Sequence, residues 1–83
     1  MSTLAADTDE LVRYLVTSLV EHPDDVRIDK RDSEDGAIYE VTVHPDDTGK
    51  VIGRQGRVIK AIRVVVRAAA STIGSDATVE VVG

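Results

Sequence analysis

The sequence contains no cysteine, tryptophan or phenylalanine, and only two tyrosines and two prolines among its 83 residues. The missing cysteines exclude disulfides, thiolate metal centres and cysteine nucleophiles. With two tyrosines as its whole complement of Phe, Trp and Tyr, the chain cannot build a platform of stacked rings for nucleobases. No run approaches the roughly 20 apolar residues that a membrane-spanning helix needs. The N-terminal stretch MSTLAADTDE holds neither a basic residue nor a long apolar run, so it does not read as a secretory signal. A cytoplasmic address without a membrane partner is the expectation.

What is present is an ordinary globular composition, 42% hydrophobic and 30% charged, which argues against disorder and for one small domain. Its apolar residues are chiefly Val, Ile, Leu and Ala. The net charge of -5 is unevenly spread: residues 1–49 carry 13 acidic and 4 basic side chains, residues 50–83 carry 2 and 6. All six of those basic residues, Lys50, Arg54, Arg57, Lys60, Arg63 and Arg67, fall close together, and no acidic residue lies between Lys50 and Ser75. Overall acidity argues against a polyanionic partner, but this local segregation argues for one.

Leu11, Val12, Leu15, Val16, Leu19 and Val20 repeat at helical spacing, predicting a helix over about 8–21, with Asp7 and Glu10 as a capping box and His22-Pro23 as its end. Val26 and Ile28 suggest a short strand over about 25–29. The run DKRDSEDG, residues 29–36, reads as a polar acidic loop, and AIYEVTVH as a strand over about 37–44. In that strand Tyr39, Val41 and Val43 share one face. Pro45, Asp46 and Asp47 suit a helix start, predicting helix over about 46–52. A longer helix follows over about 57–72, and a strand over about 77–82 with Ala77, Val79 and Val81 aligned. The order is α-β-β-α-α-β, an α+β class with no linker.

The tetrapeptide HPDD occurs at 22–25 and again at 44–47. It falls short of a repeat, and neither copy has the spacing of a known zinc motif, so it reads as helix-boundary chemistry and no metal is expected. Catalysis is not indicated either, because His22 and His44 have no neighbouring nucleophile and the many carboxylates read as solvated surface.

On the long helix, Val58, Ile59, Ile62, Val65, Val66, Ala69 and Ile73 form one arc, while Arg57, Lys60, Arg63 and Arg67 form another, interrupted by Val64 and Ser71. Ahead of it stands Gly53-Arg54-Gln55-Gly56. A tight turn between helices accounts for one glycine comfortably and for two less well. A nucleotide-binding loop fails on spacing, since neither G-x-x-x-x-G-K-[ST] nor G-x-G-x-x-G is present. A phosphate clamp suits both glycines: a sugar-phosphate backbone can lie against a turn without side chains, facing the positive end of the next helix.

The longer stretch VIGRQGRVIKAI resembles the V-I-G-x-x-G-x-x-I-x-x-I pattern of KH RNA-binding domains, with Ile59 and Ile62 at its last two apolar positions. The element order resembles the type II KH topology over essentially the whole chain. A KH domain of this length, with HPDDTGKVIGRQGRVIKAIR at its centre, is similar to the small bacterial KhpA family. That resemblance implies a three-stranded mixed sheet with three helices on one face. It also implies a GXXG loop, Gly53 to Gly56, holding about four nucleotides of single-stranded RNA.

The implied site comprises Gly53, Arg54, Gln55, Gly56, Arg57, Lys50 and Lys60 for the backbone, with Val51, Ile52 and Ile59 lining an apolar groove. Single-stranded DNA presents the same phosphates. Beyond the site, the family implies a cofactor-free, non-catalytic RNA chaperone or regulator linked to cell shape and division. The implied partners are a second copy or a larger KhpB-like protein.

Overall fold

The alternation in AIYEVTV makes a strand with one apolar face, and in the computed structural model, which describes residues 4–82, that strand is the centre of the sheet. The first three residues of the stretch read for a signal lie outside the described residues. β1 (Arg27–Ser33) pairs antiparallel with β2 (Gly36–Thr42), and β2 pairs in parallel with β3 (Ala77–Val82). Register sets Val79 beside Tyr39 on one side and Lys30 on the other, with Ile28 opposite Val41. Three helices, α1 (Leu4–Thr17), α2 (Thr48–Ile52) and α3 (Arg57–Ser71), complete the chain.

Val12 and Val16 of α1, Val51 of α2, and Ile59, Ile62, Val66 and Ala70 of α3 cluster with Tyr39, Val41, Ala77 and Val79 of the sheet. The helices therefore share one face of a mixed sheet, the expected α+β, type II KH architecture. Six of these residues are fully buried valines, each stabilising the fold by up to about 1.5–3 kcal/mol. The Tyr39 hydroxyl, the polar tip of a buried core side chain, donates to Asp9 of α1. Burial, and then Asp9, push that phenol well above its usual range.

The structure moves several boundaries. α1 already runs through Ala5 and Ala6, so Asp7 lies inside the helix instead of capping it. It also stops at Thr17 and not near residue 21. There the Thr17 hydroxyl donates to Arg13 O at 2.8 Å and the Ser18 hydroxyl to Tyr14 O at 2.6 Å. Asp25 belongs to a 3-10 turn, Pro23–Asp25, and β1 extends to Ser33. The expected loop over 29–36 thus shrinks to the two-residue tip Glu34-Asp35, closed by the Ser33–Gly36 pair. Pairing along β2 overrides the polar composition of DKRDS. The expected helix over 46–52 is a 3-10 turn, Pro45–Asp47, followed by α2; Val65 of α3 and Ile73, just past its end, are exposed while Ala70 is buried.

Asp47 joins the ends of these pieces. Its carboxylate is wholly covered and accepts from Glu21 N–H at 3.1 Å and His22 N–H at 3.0 Å, donors that a longer α1 would have kept within the helix. Desolvation pushes this carboxyl up, but the two backbone N–H groups, His22 and Lys50 together hold it below its usual range. A folded pKa below the unfolded one means stabilisation at neutral pH, lost as pH falls from about 4 through the folded value. Asp47→Asn should lower the melting temperature at pH 7 by on the order of 5 °C or more. Thermal denaturation across pH should show that gap closing below about pH 4; a gap that persists unchanged would exclude the charge as its source.

Candidate nucleic-acid interface

Two short helical pieces meet at the glycine pair, and backbone angles decide what can stand there. Gly53 ends α2 at φ 77°, ψ 170°, with its N–H on Gly49 O at 2.8 Å. A 3-10 turn, Arg54–Gly56, follows, closed by Gly56 N–H to Gly53 O at 3.1 Å. Within it Gln55 (φ 57°) and Gly56 (φ 73°) are both left-handed, and Gly56 is the N-cap of α3.

The glycines differ in what surrounds them. A Cβ at Gly53 would stand 2.8 Å from Val58 N, so its bare backbone is required by the chain itself. At Gly56 the nearest atom would be Ile59 Cγ2 at 3.9 Å, which leaves open space over the turn. An approaching backbone has room at Gly56, whereas the bare backbone at Gly53 is already accounted for by Val58.

The six clustered cations also divide. Lys50 is held by Glu21 at 2.8 Å and Asp47 at 3.5 Å, and the Glu21 hydrogen bond, against desolvation, lifts its ammonium above the usual range. Arg63 donates from Nε to Val79 O at 2.8 Å, and Arg67 pairs with Asp76 at 3.5 Å. Arg54, Arg57 and Lys60 have no acidic partner among the described residues. They gather at the N-terminus of α3, where no side chain caps the helix and its first turn holds no acid. A helix start attracts anions and disfavours cations, so the positive potential here is compensated by nothing in its own turn. Gln55 is exposed beside them, its Oε1 accepting from Arg57 at 3.5 Å.

The apolar trio needs correction. Val51 is fully buried and Ile59 is 6% exposed, so both act from beneath the surface as core residues. Ile52 is the half-buried member with surface to offer. Helical spacing revealed that these positions were apolar but not which would surface. Asp47, read as a helix-start acid, is the organising residue that local reasoning missed, because its donors lie 26 and 25 positions earlier.

Residues 9–81 match the family model of the KhpA/KhpB KH domain. The chain is 54% identical over 61 residues to RNA-binding protein KhpA of Halalkalibacterium halodurans, covering 74% of this chain and 80% of that one. It is 47% identical over 73 residues to RNA-binding protein KhpA of Clostridium perfringens, covering 88% and 97% respectively. Among solved structures, a crystal structure of Aquifex aeolicus Era matches at a TM-score of 0.61 and 20% identity, over 98% of this chain and 31% of that one, a likeness of fold.

The two glycines should respond unequally to alanine. Gly56→Ala meets only the left-handed backbone and should cost about 1 kcal/mol. Gly53→Ala adds a collision with Val58 and should cost about 3 kcal/mol or more. Urea denaturation measures both; equal losses would contradict the close packing at Gly53.

Proposed function

This chain belongs to the KhpA/KhpB KH-domain family, and on that premise we propose that it is a non-catalytic RNA-binding protein gripping about four nucleotides of single strand at the Gly53–Gly56 turn. Arg54, Arg57 and Lys60 take phosphates, Gln55 adds hydrogen bonds, and the backbone at Gly56 and the start of α3 receives the closest phosphate. Ile52 meets a base edge, with Val51 and Ile59 bracing it from the core. Lys50 serves mainly to hold Glu21 and Asp47, and contributes to RNA only through the local field. One observation carries this reading: three unpaired cations surround an open left-handed turn at an uncapped helix start. Its role in the cell is that of an RNA chaperone or post-transcriptional regulator, working in the cytoplasm.

A docking role for a second copy, or for a larger KhpB-like chain, has its own observation. Between α1 and α3 lies an apolar groove of about 290 Å³, lined among others by Tyr14, Leu15, Leu19, Ile62 and Val65. Tyr14 is 69% exposed and Val65 44%, and with Leu19 they leave an apolar patch open on this face. This surface uses none of the loop residues, so the two roles are separable.

Titration of a fluorescent single-stranded RNA tests the clamp. Arg54→Asp with Gln55→Asp should abolish binding while circular dichroism stays unchanged, and retained affinity would refute the clamp. For about three phosphate contacts, log K should fall against log salt with a slope of about -2. Arg57→Ala should weaken binding several-fold more than Lys50→Ala, whose ammonium is already occupied. In the same samples, self-association that survives the loop variant and is lost in Tyr14→Glu would assign docking to the α1–α3 groove.

A further inference from the structure

The two HPDD tetrapeptides, unrelated as sequence, are neighbours in the fold. Asp47 of the second copy accepts from the backbone of His22 in the first, which brings the ends of α1 and β2 together. The His22 and His44 rings stack with centroids 4.1 Å apart and planes 26° apart. One ring nitrogen of each, and one Asp25 carboxylate oxygen, lie within 4.8 Å of one another. Asp46 Oδ2 stands 3.8 Å from His22 Nε2 and 3.6 Å from His44 Nδ1.

Helix-boundary chemistry explains only part of this arrangement. His44 does cap its 3-10 turn, with Nδ1 accepting from Asp46 N–H at 3.0 Å. His22 occupies the equivalent position and makes no such bond. The surroundings are strongly negative: Glu21, Asp24, Asp25, Asp46 and Asp47 flank the two rings in sequence, and Lys50 is committed to Glu21 and Asp47.

We propose that His22, His44 and Asp25 form a binding site for a divalent transition metal, with zinc as the best-matched ion, joining the exit of α1 to the entry of α2. Two imidazoles and a carboxylate suit zinc, nickel or copper better than magnesium or calcium, which prefer all-oxygen sites. Three protein donors leave a fourth position for water. The side chains of His22 and His44 are 41% and 34% exposed, so the ion exchanges with solvent.

Binding requires donors to close to about 3.4 Å, the edge of a tetrahedron with zinc–nitrogen bonds near 2.1 Å. Rotation of exposed Asp25 and of the two rings provides this. His44 must also change role. Its Nδ1 lone pair serves Asp46 N–H, so the ring proton sits on Nε2. Moving that proton to Nδ1 exchanges the cap for a hydrogen bond to the Asp46 carboxylate and frees Nε2 for the metal, the usual carboxylate–histidine–metal order. Asp46 is thereby a positioning residue and Asp25 a ligand.

Calorimetric titration of the full chain with zinc should give one ion per chain, accompanied by a rise in melting temperature, with magnesium giving neither. Asp25→Asn and His22→Gln each leave the cap and the core intact and should weaken zinc about tenfold or more. Nitrogen-15 spectra of the wild-type imidazoles should show one nitrogen of each ring shifting on saturation, a readout independent of any variant. RNA affinity of Asp25→Asn should equal that of the wild type, so failure of this site is distinct from failure of the clamp. Absence of binding at millimolar zinc, unchanged ring nitrogens, or undiminished affinity in the His22→Gln, Asp25→Asn double variant would each overturn the proposal.

Discussion

The carboxylate of Asp47, with the two backbone N–H groups it accepts, is the constraint on which much of this fold rests. It removes Glu21 and His22 from α1 and fixes the place where that helix leaves the core. The same residue stands at the N-cap position of α2, whose five residues lead directly into the glycine turn. A covered carboxylate is favourable only when its acceptor capacity is satisfied. Here two N–H groups and Lys50 provide that, and the geometry of the turn is inherited from them.

An acidic chain with a cationic site is coherent once the charges are sorted by partner. Lys50, Arg63 and Arg67 are used internally, to hold Glu21 and Asp47, the β3 backbone and Asp76. The remaining three gather where α3 begins. Repulsion by the surrounding carboxylates narrows the surface on which a polyanion can settle, so acidity sharpens the position of the site instead of opposing it. Gly56, in its left-handed conformation, then keeps the turn beside the three cations free of a side chain.

Much of this was legible in the chain, and the limits have physical causes. Tyr39, Val41 and Val79 alternate in sequence and are buried as their spacing says, because a strand offers only two faces. The extension of β1 beyond residue 29 to Ser33 was not legible, because it rests on pairing with an already apolar neighbour, against which Lys30, Arg31 and Asp32 need only lie. The glycine turn was legible because backbone chemistry is local. Which cations were free was not, since Glu21, the closer partner of Lys50, and Val79, the acceptor for Arg63, lie far away in sequence. For the same reason the two HPDD copies looked like coincidence until Asp47 brought them together. Ile59 and Ile52 are equally apolar as letters, and only tertiary packing decides that Ile59 is buried while Ile52 is half-exposed.

The parallel pairing of β2 with β3 has a consequence for how fast the chain folds. Val79 and Ala77, both central to the core, arrive on the last strand, and Arg63 on α3 is secured by the carbonyl of Val79. Without residues 77–82, β2 is left unpaired on its second side and α3 lacks its main support. The contacts that join α3 to the sheet are thus non-local, closing over the span from β2 to β3, the kind of pairing that slows folding.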